Sequence, residues 1–130
     1  MKLLSLLLTI MFLTGCSAPT QPEVKAEYRK ISQDEAAAMF SDDAVILDVR
    51  TQEEFDEGHI RDAVLLPDYD VAALAATVLP DKEQIILIYC RTGRRSENAA
   101  RELIEMGYTR VYDFGGIVDW TGEIVTEEYF

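Results

Sequence analysis

The run Ile85-Ile86-Leu87-Ile88-Tyr89 is apolar at every position and rich in β-branched residues. A strand with one wet face alternates apolar and polar residues. An unbroken apolar strand is instead buried on both faces, as in a parallel sheet covered by helices on each side. Ala44-Val45-Ile46-Leu47-Asp48-Val49 reads the same way. Ser32-Gln33-Asp34-Glu35 is a capping box that opens a short helix to about Phe40, and Thr51-Gln52-Glu53-Glu54 is a second, whose helix stops at Gly58. Val64-Leu65-Leu66, before Pro67, is a short strand. Val71, Leu74, Ala75, Val78 and Leu79 share one face of a helix that Pro80 ends. From about Arg95 to Met106 a helix buries Ala99, Ala100, Leu103 and Ile104, with Gly107 as its stop. Val111-Tyr112-Asp113-Phe114 is a last strand before Gly115-Gly116. Alternating strands and helices predict an α/β domain with a central parallel β-sheet flanked by helices on both faces. In such folds ligands sit at the carboxyl ends of the strands.

A chain of 130 residues, 48% apolar and 28% charged, has room for one soluble domain with its own core. Its net charge of −12 argues against nucleic acid and anionic membrane surfaces as direct partners. One histidine and two distant cysteines make no metal-site pattern.

The N-terminus reads as an address. Met1-Lys2 is followed by an apolar run from Leu3 to Leu13, too short to span a bilayer and suited to the core of a signal peptide. Leu13-Thr14-Gly15-Cys16 then resembles the lipobox of bacterial lipoproteins. That resemblance implies removal of residues 1–15 and lipidation of Cys16 on its sulfur and amine. It implies a membrane partner through this anchor, and an extracytoplasmic address in the cell envelope. In a Gram-negative cell Ser17 points to the outer membrane, facing the periplasm. The other readings are an ordinary secretory signal or a buried N-terminal helix. Residues 16–27, with two prolines and no apolar period, read as a flexible tether, leaving residues 28–130 as the domain.

The densest positive charge of this acidic chain lies directly behind a thiol, in Cys90-Arg91-Thr92-Gly93-Arg94-Arg95-Ser96. Cys90 is at the carboxyl end of the most apolar strand. A thiol reacts as thiolate, which is favoured beside cations and at a helix N-terminus. Arg91, Arg94 and Arg95 supply the charge, while unpaired N–H groups of the loop and of the next helix converge near the sulfur. Gly93 permits a positive φ or close backbone approach. The same field attracts an anionic substrate. The bland alternative is a buried, inert cysteine beside surface arginines. A phosphatase loop places its arginine after five intervening residues, Cys-x5-Arg; here five residues, 91–95, separate Cys90 from Ser96, and arginine falls one place short at Arg95, so that pattern fails.

Several separated motifs together resemble a single-domain rhodanese, a sulfurtransferase, over about residues 28–122. They are Leu47-Asp48-Val49-Arg50-Thr51 with Glu53-Glu54-Phe55, Gly58-His59-Ile60, Ala63 and Pro67, the Cys90–Ser96 loop, and Gly115-Gly116-Ile117-Val118-Asp119-Trp120. The resemblance implies a rhodanese-like fold and a Cys90 persulfide. Sulfur would pass from a small anionic donor such as thiosulfate to a thiol or cyanide acceptor. It implies no cofactor and no metal; a monomer is expected. Backbone N–H groups over Arg91, Thr92, Gly93, Arg94, Arg95 and Ser96 would hold the persulfide, and the three arginines the donor's oxygens. An alternative is a module that binds sulfane sulfur or a protein without turnover. Asp48 and Arg50 are expected to tie adjacent loops by an ion pair, and His59 to serve a hydrogen-bonding structural role. Trp120 and Phe114 suit core or pocket wall, and Glu53, Glu54, Asp56 and Glu57 the wet face of a helix. One departure stands out. Arg61-Asp62 precedes Ala63 where the family usually has Pro-Gly, and is expected to make the same turn.

Overall fold

The computed structural model describes residues 15–19, 22 and 25–126. The proposed signal-peptide core therefore lies outside the described residues. Residues 15–19 and 22 are exposed and carry no regular secondary structure.

Local signals set the element ends. Helix α1 (Gln33–Met39) and helix α2 (Gln52–Glu57) both start at complete capping boxes, in which Ser32 and Thr51 accept from the N3 amides and Glu35 and Glu54 return the bond. Strand β1 is Ala44–Asp48, β2 is His59–Ile60, β3 is Val64–Leu65, and helix α3 is Val71–Val78. Strand β4 is Ile85–Cys90, helix α4 is Arg94–Glu105, strand β5 is Val111–Gly116, and β6 is Ile124–Val125. Past the end of α4, Gly107 sits at φ 100°; its amide donates to Ile104 and that of Tyr108 to Leu103, the paired bonds of a Schellman stop. The expected turn at residues 61–62 is made, with Ala63 N–H donating to Ile60 O. Asp62 takes φ 65° there, a left-handed conformation that aspartate tolerates better than most side chains.

β3, β1, β4 and β5 form one four-stranded, all-parallel sheet in that order. The pleat divides the apolar runs between two cores. Leu47, Val49, Ile86, Ile88 and Cys90 face α3 and α4, packing with Val71, Ala75, Leu79, Ala99, Ala100, Leu103 and Tyr108. Ile46, Leu87, Tyr89 and Phe114 face the other way, against Ala36 of α1 and partly buried Phe40, Ile117 and Trp120. The expectation of a sheet covered on both faces is met. α3 packs by a narrower stripe than its sequence suggests: Val71, Ala75 and Leu79 are buried, whereas Leu74 is 44% exposed.

Two features have no periodic signal in the sequence. β2 and β6 pair antiparallel as a two-residue ladder beside the main sheet. Residues 29–31 run along the outer edge of β5, with Asp113 N–H donating to Arg29 O and Ile31 N–H to Asp113 O.

Candidate active site

Cys90 ends β4 on the α3/α4 side and is fully buried. The register between β4 and β5 slips between Ile88 and Cys90, so that Cys90 pairs with Gly116. The loop beyond the cysteine turns at once into α4. Gly93, the residue before that helix, takes φ 108°, where a side chain would be strained. Its amide donates to Cys90 Sγ at 3.0 Å. The sulfur thus meets the N-terminal end of a 12-residue helix, where unpaired N–H groups favour negative charge.

Gly116 braces the loop from β5. A Cβ at this position would collide with the Arg91 carbonyl oxygen and lie 2.7 Å from Thr92 Cα. Val118 N–H donates to the same Arg91 oxygen at 3.3 Å.

The three arginines are not equivalent. Arg91 and Arg94 are exposed, as is Thr92, and among the described residues their side chains make no hydrogen bond or ion pair. Arg95 is committed to a bidentate pair with Glu54, both contacts at 2.8 Å. That hydrogen-bonded pair favours the charged form of Arg95, with Cys90 and Asp68 adding to it. Reciprocally, Arg95 first and the Thr51 amide second hold Glu54 down to about 2, against an ordinary 4.5. Glu54 is therefore not simply part of a wet helix face: it caps α2 and ties that helix to the active loop.

Ser96 is fully buried, and its hydroxyl turns inward. Its oxygen lies 3.5 Å from Cys90 Sγ, 3.0 Å from Gly93 O and 2.8 Å from Asp113 Oδ1. Asp113, 1% exposed, accepts further bonds from Gly115 N–H at 2.9 Å and from the Tyr28 hydroxyl at 2.5 Å. Burial and then Asp113 raise the Tyr28 phenol above its usual range, which keeps it a donor. Sequence reasoning passed over Asp113 as one more strand residue. Its only local signal is a charged side chain inside an apolar strand.

Asp48 and Arg50 form a buried bidentate pair, with Nε to Oδ1 at 2.9 Å and Nη2 to Oδ2 at 2.7 Å. Arg50 Nη2 also donates to Gly58 O, and the Tyr89 hydroxyl donates to Asp48 Oδ2 at 2.6 Å. Burial and then Asp48 push the Tyr89 phenol upward. The pair links the end of β1 to β4 and to the end of α2. His59 is buried; its ring stacks on Phe55 at 3.7 Å, and its Nδ1 donates to Phe55 O at 2.9 Å. Cys16, the other free cysteine, is exposed.

The first relatives carry sulfurtransferase names. Thiosulfate sulfurtransferase PspE of Escherichia coli is 40% identical over 73 residues, covering 56% of this chain and 70% of that protein. Thiosulfate sulfurtransferase GlpE of Coxiella burnetii is 34% identical over 103 residues, covering 78% and 94%. A solved structure described as a rhodanese with anions from E. coli superposes with TM-score 0.61 at 36% identity, covering 65% of this chain and 99% of that one. Residues 32–123, which hold the sheet, the Cys90 loop and the glycine that braces it, match the Rhodanese-like domain, and the chain belongs to that family.

Proposed function

We propose that the protein is a rhodanese-type sulfurtransferase that carries sulfane sulfur on Cys90, taking it from thiosulfate or a related small anion. The observation that carries the reading is the placement of Cys90 Sγ against the Gly93 amide at the start of α4, with Arg91 and Arg94, unpaired among the described residues, exposed in the same loop. Relatives named thiosulfate sulfurtransferase at 34–40% identity support the donor class.

The Cys90 thiolate attacks the outer sulfur of thiosulfate. A new S–S bond forms as the old one breaks, and sulfite leaves with the electron pair. Arg91 and Arg94 attract the dianion, whose sulfonate carries the departing charge. The Gly93 amide stabilises negative charge on sulfur before and after transfer. An acceptor thiolate then attacks the outer sulfur of the persulfide and Cys90 leaves as thiolate. Cys16 is the other cysteine of the chain, and its place after the apolar N-terminal run supports a lipid anchor rather than a resolving role. The acceptor therefore comes from outside. That same N-terminal pattern supports an extracytoplasmic, membrane-tethered location.

The test is intact mass after thiosulfate treatment of the Cys16→Ser protein, with Cys90→Ser as control. Gain of one sulfur atom, reversed by cyanide and absent from the control, is expected. A folded, reduced protein that gains no sulfur rules out thiosulfate as donor.

A further inference from the structure

The loop side of Cys90 favours the thiolate, but the inner side does not. A hydroxyl has one proton and two lone pairs. Around Ser96 Oγ, the Asp113 carboxylate at 2.8 Å and the Gly93 carbonyl at 3.0 Å can only accept. The charged acceptor is also the nearer and takes the proton. What Ser96 then shows to Cys90 Sγ, 3.5 Å away, is a lone pair. A protonated thiol can donate to that oxygen. A thiolate meets the lone pair and, behind it, a buried carboxylate that no ion pair reaches among the described residues.

Resting on the sulfurtransferase reading of Cys90, we infer that Ser96 and Asp113 are positioning residues that favour the protonated thiol and offset the arginines, rather than part of the substrate-binding surface. The groups on the loop side are Arg91, Arg94, and Arg95 with its partner Glu54 and nearby Asp68. Those on the inner side are Asp113 and Tyr28, with Glu97 and Arg101 beyond the phenol. Tyr28 precedes the residues matched to the family, and it fastens the carboxylate to the N-terminal segment. The chemical use of such an opposition follows from thiol reactivity. Nucleophilicity falls with the basicity of the thiolate, so a thiol ionised too readily attacks sulfur more slowly.

The Cys16→Ser protein leaves Cys90 as the single thiol, and its ultraviolet thiolate absorbance can be followed against pH. Removing the acceptor in Ser96→Ala is expected to bring the thiolate in at lower pH by roughly half a unit, the worth of one neutral hydrogen bond. Removing the charge in Asp113→Asn is expected to lower it by about one unit, for like charges separated by the Ser96 hydroxyl in a partly screened site. In Asp113→Asn the pH profile of persulfide formation moves down in parallel, while its plateau rate falls about threefold. Ser96→Thr, which keeps the hydroxyl, restores the original profile. Melting curves exclude a gross folding change. An upward shift in Ser96→Ala means that Ser96 donates to the thiolate, and overturns the inference; so does an unmoved titration in both variants. If Asp113→Asn does not fold, the sign of the Ser96→Ala shift decides alone. The titration needs no sulfur donor, so failure of this inference and failure of the sulfurtransferase reading are separable.

Discussion

Replacing Glu54 by glutamine separates what the Glu54–Arg95 pair contributes from what the capping box contributes. Glutamine at the third helical position can still return the bond to the Thr51 amide, so the start of α2 is retained. The lost part is the ionic one. A carboxyl moved from 4.5 to about 2 corresponds to about 3.4 kcal/mol if all the stabilisation reports on folding. The two side chains are 22% and 24% exposed, however, and solvent screening reduces this to about 1 kcal/mol. The folded-state value is depressed, so this contribution is complete above about pH 5. It is lost as pH falls from the ordinary range toward about 2. Urea unfolding of both proteins between about pH 6 and pH 3 should therefore show the variant about 1 kcal/mol less stable at the upper end, with the gap closing in acid. A gap that stays constant across the series would refute the ion pair as its source. No gap at about pH 6 would show that the pair contributes nothing to stability.

Gly116→Ala should destabilise the fold by about 1–3 kcal/mol, because the added methyl must displace backbone at Arg91 and Thr92. Sulfur transfer should fall far more, about 100-fold, since the displaced segment leads directly into Gly93, whose amide donates to Cys90 Sγ. Thermal melting and single-turnover sulfite release check the two numbers. Asp62→Gly should raise stability by about 0.5 kcal/mol, relief of left-handed strain outweighing the extra freedom of the unfolded chain. A lower melting temperature in this variant would show that the Asp62 side chain makes a contribution that its conformation does not reveal.

What could be read in the sequence was local or periodic. Both capping boxes, the Gly107 stop, the buried strands and the location of Cys90 depend on residues near one another in the chain, or on a pattern of period two or 3.6. What could not be read depends on distant partners. Glu54 looks like helix surface until Arg95, 41 positions later, folds back onto it. Asp113 becomes a buried hub because Tyr28, 85 positions earlier, lies alongside β5. Leu74 belongs to an apolar stripe, but the sheet and α4 leave room for only part of it, and Val71 and Ala75 take that space. The ladder of β2 and β6 is two residues long, too short for any alternation to show. The arginine-rich loop was legible as a cluster. The division of labour within it was not, because Glu54 alone distinguishes Arg95 from Arg91 and Arg94.

The segment beside β5 bears on solubility as well as on the site. An open edge strand offers unpaired amides and carbonyls to any neighbouring chain. On one side of this sheet the last strand, β3, has two residues and gives little to pair with. On the other side β5 is six residues long, and residues 29–31 occupy part of its outer edge. A protein trimmed to residues 32–123 would keep every family motif while uncovering that edge and withdrawing Tyr28 from Asp113. Such a fragment should associate through exposed strands at concentrations where the longer chain stays dispersed. The few residues before the family boundary thus act as a guard against self-association.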